Sequence, residues 1–107
     1  MKKILLIILI LFLCGCNSNK IDINKLMQEN EYIIIDVRTK EEYDELHIKD
    51  AINVPYNELT DNFDKDKIIF VYCQSGNRSK MAYNNLKLFG YEVYDLGGIN
   101  SVDLPKE

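Results

Sequence analysis

The segment Val71-Tyr72-Cys73-Gln74-Ser75-Gly76-Asn77-Arg78-Ser79 indicates the fold class most directly. It continues an apolar, β-branched run, residues 68–72, which is typical of a strand buried in a parallel sheet. It leads into residues 79–89, where apolar side chains recur at helical spacing. A strand, a short polar loop with one glycine and a helix predict one unit of an open α/β fold. In such folds ligands bind beyond the carboxyl ends of the strands.

The rest of the chain alternates in the same way between strand-like and helix-like segments. Three further segments are predicted to be strands: Ile33–Val37, Ala51–Val54 and Tyr91–Tyr94. Two are predicted to be helices: 24–30, and 40–46, which begins with the capping-box pattern Thr39-x-x-Glu42. The alternation predicts a mainly parallel sheet with helices on its faces. In the helix 79–89 we expect five side chains to contact the core: Met81, Ala82, Leu86, Leu88 and Phe89.

The chemistry is expected at Cys73, where the buried strand ends. A tight loop from Gln74 to Arg78 would turn successive backbone amides inward, and the following helix start adds positive potential. Arg78 adds a full charge. The amides, the helix start and Arg78 all favour the thiolate. The pKa of a cysteine thiol in such surroundings falls from about 8.5 to about 3.5–7.5. Gly76 is predicted to adopt a positive φ.

Two chemistries could use such a loop, and a structural cysteine is the alternative to both. The thiolate could attack a sulfane sulfur and hold it as a persulfide, or attack phosphorus while the amides hold phosphoryl oxygens. Cysteine phosphatases of the protein-tyrosine type have five residues between the cysteine and the arginine. Here there are four, residues 74–77. The shorter loop favours a persulfide over a tetrahedral phosphate as the group that it holds.

The order of these motifs resembles the rhodanese family over most of the chain, from about residue 21 to 98. The matching segments are Asp36-Val37-Arg38, Glu42-Tyr43, His47-Ile48, Ala51–Pro55, Cys73–Arg78 and Gly97-Gly98. The resemblance implies an α/β fold with a central, mainly parallel sheet of about five strands and helices on both faces. It also implies sulfur transfer through a persulfide on Cys73.

The resemblance further implies roles for the residues around Cys73. Backbone amides of five substrate-binding residues would hold the transferred sulfur: Gln74, Ser75, Gly76, Asn77 and Arg78. Asp36 and Arg38 would support the loop structurally. The donor would be thiosulfate or another sulfane compound, the acceptor cyanide, a thiol or a protein, and no metal or organic cofactor is implied.

Several positions depart from the family pattern or have a structural interpretation. Gln74 stands where many sulfurtransferases have Arg or Lys, which predicts weak affinity for dianionic thiosulfate. Leu46, Lys49 and Asp50 replace residues of the turn around His47, so that turn should be built differently. His47 is expected to be structural. Four acidic residues are expected to form a solvated helix face: Glu41, Glu42, Asp44 and Glu45.

The first 20 residues are predicted to be an export signal and a tether. Lys2 and Lys3 precede ten apolar residues, too few for a membrane span. Leu13-Cys14-Gly15-Cys16 then resembles a bacterial lipobox. By that resemblance residues 1–15 are the signal peptide, Cys16 is lipidated, 16–20 form a tether and 21–107 form the rhodanese-like domain. The protein would be anchored by lipid on the extracytoplasmic face of the cell membrane.

Charge and cysteine content narrow the possible partners. Removing residues 1–15 takes away two lysines and no acid, so the formal charge changes from −4 to −6. An acidic domain argues against nucleic-acid binding, which needs a basic face. Cys73 would be the one unmodified thiol of the mature chain, and it has no partner for an internal disulfide.

Three functions besides turnover of small sulfur compounds remain open at this level. The domain could be a sulfur carrier that hands sulfur to a specific protein. It could have thiol redox or phosphatase-like activity. It could be a non-catalytic scaffold, which the presence of both Cys73 and Arg78 disfavours.

Overall fold

The computed structural model describes residues 21–107. The predicted signal peptide, the lipidated Cys16 and the tether lie outside the described residues. Strands and helices alternate along the chain, as α1 (Ile23–Glu29), β1 (Tyr32–Asp36), α2 (Lys40–Glu45), β2 (Ile52–Asn53), β3 (Ile68–Cys73), α3 (Asn77–Leu88) and β4 (Val93–Gly98). Short 3-10 helices follow β2 and β4. Within residues 21–107, every helix is too short or too polar to cross a bilayer.

The four strands form one parallel sheet in the order β2-β1-β3-β4. β1 and β3 pair at its centre, where Tyr32 lies opposite Ile68 and Asp36 lies opposite Tyr72. β3 is buried along its whole length, as a central strand of a covered parallel sheet must be. The predicted α/β fold is therefore confirmed, with four strands in the described residues rather than about five.

Two hydrophobic cores lie on the opposite faces of the sheet, because successive strand side chains point to opposite sides. One face carries Val71 and Cys73 and packs beneath Ala82 and Leu86 of α3. The other face packs against α1 and α2, with Phe70 and Tyr72 among its buried residues. Helices thus cover both faces, as predicted. Cys73 is the last β3 residue on the α3 side.

The start of α2 matches its sequence pattern in detail. The Thr39 hydroxyl accepts the Glu42 amide at 3.2 Å, and the Glu42 carboxylate accepts the Thr39 amide at 3.1 Å. This reciprocal capping box satisfies two amides that a helix start leaves without partners. The prediction of a helix beginning after Thr39 is confirmed.

The predicted core face of α3 was wrong at three positions. Ala82 and Leu86 are buried, but Met81, Leu88 and Phe89 are 49%, 85% and 39% exposed. The buried stripe is completed by Ser79 instead. Ser79 was not predicted to be buried because its side chain is polar. Its hydroxyl is buried together with its hydrogen-bond partners. The face that contacts the sheet is therefore rotated from the one predicted.

β4 begins and ends later than predicted, at Val93–Gly98 instead of 91–94. Its last residues, Asp95 to Gly98, have the composition of a turn. They nevertheless continue the pairing with β3 past a register shift between Val71 and Tyr72. The Asp95 carboxylate accepts the Gly97 amide at 2.8 Å, and Gly97 has a φ of +86°. This local turn lets the strand reach the level of Cys73.

Candidate active site

Cys73 lies where β3 ends and a tight loop leads into α3. Only residues 74–76 separate the strand from the helix, which begins at Asn77. Gly76 precedes the helix with a φ of +101°, the left-handed conformation predicted for it. The helix starts closer to Cys73 than the sequence indicated. The amides of its first turn have no partners within the helix, and they therefore lie close to the sulfur.

The Cys73 sulfur is contacted by the loop and by the first turn of α3. The Gly76 amide donates to Sγ at 2.8 Å, and the Ser79 Oγ lies 3.4 Å from Sγ. Ser79 also donates to the Gly76 carbonyl oxygen at 3.1 Å. Burial alone would raise the pKa of the thiol. The Ser79 hydroxyl and the amides of Ser79, Gly76 and Ser75 outweigh it, so the pKa of Cys73 lies below its ordinary value.

The thiol is also fully buried, with 0% of Cys73 exposed to solvent. Reactive cysteines are commonly found in partly exposed surroundings. Cys73 departs from that pattern, because its sulfur is enclosed by the loop and the first turn of α3.

Arg78 forms an ion pair with Glu42 of α2. Its Nη1 and Nη2 donate to the two carboxylate oxygens at 2.8 and 3.1 Å, and both side chains are about 30% exposed. Hydrogen bonding to Arg78 lowers the pKa of Glu42 to about 2. The expectation that Glu42 belongs to a solvated helix face is therefore wrong. Arg78 thus pairs with that carboxylate, and its charge also interacts with Cys73.

Arg38 is buried behind the loop and links three parts of the structure. Its Nε and Nη2 donate to the Asp36 carboxylate at 2.7–3.1 Å, and Nη2 also donates to the Leu46 carbonyl oxygen at 2.5 Å. Its Nη1 donates to the Gln74 Oε1 at 2.9 Å. A guanidinium can only donate, so the Gln74 amide nitrogen must face away from it. Arg38 thus connects Asp36 to the residue directly after Cys73.

Tyr72 and Asn53 complete this buried polar network. The Tyr72 hydroxyl donates to Asp36 Oδ2 at 2.8 Å and accepts the Ile48 amide at 3.0 Å. Asn53 donates to the carbonyl oxygens of Asp36 and Arg38, both at 3.0 Å. Every fully buried side-chain nitrogen and oxygen among residues 21–107 has a hydrogen-bond partner. Such a satisfied network gives the segment from Asp36 to Arg38 one defined conformation.

The two glycines at the end of β4 pack against the Cys73 loop. A Cβ atom on Gly98 would lie 2.7 Å from the Gln74 carbonyl oxygen, closer than real Cβ atoms come. A Cβ on Gly97 would meet nothing within 4 Å. Gly98 therefore has to be glycine because the loop approaches it, whereas Gly97 serves the turn in the strand.

His47 lies in a turn on the other side of α2. Its ring stacks on Tyr43 with centroids 3.8 Å apart, and its backbone exchanges two hydrogen bonds with Glu107 at 2.8 and 2.9 Å. The following turn places Asp50 at a φ of +70°, which aspartate tolerates better than most residues. These contacts give His47 a structural environment, whereas the contacts of Cys73 come from Gly76 and Ser79.

The sequence analysis missed two residues of the site, Glu42 and Ser79. Ser79 follows Gly76 by three residues on the helix face that includes Ala82, so its place on that face was available as a signal. Glu42 carried no local signal beyond the capping box, because its partner is 36 residues away. Ser75 and Asn77, predicted to bind substrate, have exposed side chains. In the part of the chain described, no three His, Cys, Asp or Glu side chains are grouped to hold a metal ion.

The chain was compared with protein families, with known proteins and with solved structures. A model of the rhodanese-like domain matches residues 20–103. The thiosulfate sulfurtransferase PspE of Escherichia coli is 36% identical over 78 residues, 67% of this chain and 75% of that protein. The adenylyltransferase and sulfurtransferase uba4 of Ogataea parapolymorpha is 36% identical over 88 residues, and the match covers 77% of this chain but only 23% of that protein. A solved rhodanese from Escherichia coli with anions superposes with a TM-score of 0.65 at 35% identity, over 71% of this chain and 96% of that one.

Proposed function

This chain belongs to the rhodanese-like domain family, and from that premise we propose that it is a sulfurtransferase that carries sulfane sulfur on Cys73. The observation that carries the proposal is the set of amide donors around Sγ, chiefly the Gly76 amide at 2.8 Å, beside the Ser79 hydroxyl at 3.4 Å. These donors keep the pKa of the thiol low despite its burial. The same donors suit the anionic outer sulfur of a persulfide.

The reaction has two half-steps, and neither needs an external oxidant. The Cys73 thiolate attacks the outer sulfur of a donor such as thiosulfate, a persulfide or a polysulfide. The new Sγ–S bond forms while the donor's S–S bond breaks, and the leaving group departs with the electron pair, as sulfite in the case of thiosulfate. Cyanide or a thiolate then attacks the outer sulfur, and Cys73 leaves as thiolate. Amides of residues 74–78 hold the outer sulfur between the steps.

Sulfur transfer is favoured over phosphate chemistry by the state of Arg78. A phosphatase loop needs its arginine to bind two phosphoryl oxygens. Here both terminal nitrogens of Arg78 bind Glu42. Together with the short spacing between Cys73 and Arg78, this ion pair supports a persulfide as the group that the loop accommodates.

A specific protein acceptor is the second candidate. The relative from Ogataea parapolymorpha is named as both an adenylyltransferase and a sulfurtransferase, and this chain covers 23% of it. A rhodanese-like domain can therefore form part of a larger sulfur-transferring protein. If this chain acts as such a carrier, Cys73 should load with sulfur while turnover with cyanide stays negligible.

We also propose that the protein is exported and anchored by lipid on Cys16. Support comes from the two lysines, the apolar run and the lipobox-like Leu13-Cys14-Gly15-Cys16. Two or more acyl chains would anchor the protein stably, since one chain alone gives marginal binding. Labelling cells with an alkyne fatty acid should tag the wild type and leave Cys16→Ser untagged. A tag that persisted in Cys16→Ser would contradict lipidation at that residue.

The main proposal is tested by intact-mass spectrometry of the purified full chain in nonionic detergent. After incubation with thiosulfate or polysulfide, the wild type should gain the mass of one sulfur atom, and Cys73→Ser should gain none. If folded, reduced wild type gains no sulfur from any sulfane donor, the sulfurtransferase function is excluded.

A further inference from the structure

Helix α3 carries the opposite charge from the rest of the domain. It contains Arg78, Lys80 and Lys87 and no acidic residue, so all 17 acidic residues of the chain lie outside it. Of the 13 basic residues, three lie in residues 1–20 and three in α3, which leaves seven for the remainder of the domain. An acidic partner is therefore repelled by most of the surface and attracted at α3, and this contrast orients its approach.

Four side chains of α3 form an uncharged ridge that points away from the sheet. The buried stripe of the helix consists of Ser79, Ala82 and Leu86. At about 3.6 residues per turn, the opposite side carries positions that are four, three and four residues apart. These positions are all exposed, and they are Asn77, Met81, Asn84 and Leu88. We call these four residues, with Lys80 and Lys87 along one side of them, the outer face of α3.

The outer face offers both apolar surface and positive charge. Met81 and Leu88 are 49% and 85% exposed. Among residues 21–107, neither Lys80 nor Lys87 lies within 4.0 Å of a carboxylate oxygen, whereas Arg78 is paired with one. Exposed methionine and leucine side chains beside these lysines suit a partner that presents apolar residues among carboxylates.

The outer face begins at the loop that encloses the Cys73 sulfur. Asn77 follows the loop directly, and Ser79 in the same turn of the helix lies 3.4 Å from Sγ. From Asn77 to Leu88 the helix extends about 16 Å. A partner that lies along this face therefore has one end beside the loop, where its thiol can meet the transferred sulfur.

We propose that the outer face of α3 is the docking surface for an acidic protein whose cysteine accepts sulfane sulfur from Cys73. The inference rests on the proposed sulfur transfer and identifies the chemical class of the acceptor. Carboxylates of the partner pair with Lys80 and Lys87, and its apolar side chains pack on Met81 and Leu88. The acidic residues elsewhere on the domain disfavour other docking orientations by repulsion.

The transfer step balances without an oxidant or a reductant. The thiolate of the partner attacks the outer sulfur of the Cys73 persulfide and forms a new S–S bond. The bond between the outer sulfur and Sγ breaks, and Cys73 leaves as a thiolate with the electron pair. The partner then carries the persulfide.

Two synthetic peptides with one cysteine each serve as acceptors. Both continue for about eight residues beyond the cysteine, roughly 26 Å when extended, which is enough to reach Leu88. The acidic peptide contains glutamate and leucine, and the basic peptide has lysine in place of every glutamate.

The acceptors are added to the loaded protein. Cys73 of the full chain is first loaded with polysulfide in nonionic detergent, loading is verified by intact mass, and excess donor is removed. The loss of one sulfur atom is then followed for each peptide. Each rate is divided by the rate of the same peptide with the uncharged disulfide of 2-mercaptoethanol, which corrects for differences between the two thiols.

At about 0.1 M salt, where charges more than roughly 10 Å apart are screened, the acidic peptide should react about tenfold faster than the basic one. At about 1 M salt the two normalised rates should agree within about twofold. Lys80→Glu combined with Lys87→Glu should reverse the order of the peptides at the lower salt concentration. Lys25→Glu combined with Lys49→Glu makes the same change in net charge at exposed lysines and should leave the order unchanged.

The control lysines lie away from α3. Lys25 belongs to α1, and Lys49 follows Ile48, which packs in the core on the opposite face of the sheet.

The apolar part of the outer face is tested with Leu88→Gln, which keeps a good helix former at the end of α3. This variant should slow the acidic peptide about threefold. It should have no effect on a peptide shortened to about three residues beyond the cysteine, which extends to roughly 10 Å and stops short of residue 88. Leu46→Gln makes the same change at an exposed leucine that ends α2, on the opposite face of the sheet, and should change neither rate.

The outcomes separate failure of the docking surface from failure of the function. If Cys73 loads but both peptides react at equal normalised rates, or if the α3 variants behave like their controls, the docking proposal is overturned and the sulfurtransferase stands. If no sulfane donor loads folded wild type, the sulfurtransferase function is overturned and the docking proposal with it.

Two other occupants of the outer face would also overturn the proposal. A dimer in sedimentation that Lys80→Glu with Lys87→Glu dissociates would assign the face to a second copy of the chain. Mixed micelles containing phosphatidylglycerol that abolish the preference for the acidic peptide would assign it to an anionic lipid surface.

Discussion

The loop from Cys73 to Gly76 and the segment from Asp36 to Arg38 lie in contact, yet they differ in composition. The loop consists of uncharged residues and acts on the sulfur largely through backbone amides, such as that of Gly76 at 2.8 Å. The segment consists of a buried ion pair whose side-chain bonds are 2.7–3.1 Å long. Full charges in this protein hold the structure, and partial charges of the backbone contact the reacting atom.

The difference has a chemical reason. The nucleophilicity of a thiolate falls as its pKa falls. A free arginine against the sulfur would lower the pKa strongly and weaken the nucleophile. Amides and one hydroxyl lower the pKa of the thiol without a full charge in contact with the sulfur. Pairing Arg38 and Arg78 with carboxylates reduces the effect of their charges on the thiolate.

Removing the carboxylate from the buried segment should have the largest effect on stability. Asp36→Ala leaves Arg38 buried without its counter-charge and the Tyr72 hydroxyl without its acceptor. We expect a loss of about 3–5 kcal/mol in the free energy of unfolding, measured by urea denaturation. Asp44→Ala removes an exposed ion pair with Lys40, which solvent screens, so the free energy of unfolding should change far less. Equal losses in the two variants would show that the buried pair has no special structural role.

A smaller change tests the contact that shapes the loop. Gly98→Ala places a Cβ 2.7 Å from the Gln74 carbonyl oxygen, so the loop must shift. We expect a stability loss of about 1–3 kcal/mol and sulfur loading slowed about tenfold or more, followed by intact mass. Gly97→Ala strains a φ of +86° at a cost of about 1 kcal/mol but meets no atom within 4 Å. Loading as slow in Gly97→Ala as in Gly98→Ala would contradict the contact.

The ion pair between Glu42 and Arg78 predicts a dependence of stability on pH. The pKa of Glu42 is lowered to about 2 in the folded protein, against an ordinary value of 4.5. Because the folded-state pKa is depressed, its stabilisation is complete above pH 4.5 and is lost as the pH falls towards 2. Glu42→Gln keeps the helix cap. It should lower the free energy of unfolding, measured by urea denaturation, by about 1 kcal/mol at pH 7 and by almost nothing near pH 2.

The neighbouring Glu41→Gln is the control for that experiment, since Glu41 is exposed in the first turn of the same helix. Its stability should follow that of the wild type across the same pH range. A difference between Glu42→Gln and wild type that did not shrink on acidification would argue against the ion pair as its source.

The hydroxyl of Ser79 should have a smaller effect, on the pKa of Cys73. Ser79→Ala removes the one side-chain hydroxyl that lowers the pKa of Cys73 and leaves the amides in place. The rate of alkylation by iodoacetamide should rise with pH around a midpoint below the ordinary thiol value in the wild type, and the midpoint should move upward in Ser79→Ala. Ser75→Ala keeps the Ser75 amide and should leave the midpoint unchanged. A midpoint unaffected by Ser79→Ala would assign the whole effect to the backbone.

Features encoded by neighbouring residues were predictable from the sequence. The Thr39–Glu42 capping box, the positive φ of Gly76 and the burial of residues 68–72 all follow from local patterns. The position of Cys73 at the end of a buried strand followed from the same patterns.

Features that depend on contacts between distant residues were not predictable in this way. Glu42 looked like a surface carboxylate because nothing within its helix indicates Arg78. Ser79 was overlooked because a polar residue on a buried helix face is explained only by its tertiary partners. Met81 and Leu88 looked like core residues because apolar spacing alone does not fix which helix face meets the sheet.

The register of β1 with β3 has a consequence for how the site forms. Arg38 and Gln74, Asp36 and Tyr72, and Glu42 and Arg78 are each 36 positions apart, which is also the offset between Tyr32 and Ile68 in the central strand pair. Closing one loop of that length carries an entropic cost during folding. Once the two strands have met, all three side-chain contacts form without a further closure. The site and the centre of the sheet should therefore fold as one cooperative unit, and sulfur loading should disappear in the same transition as the global structure.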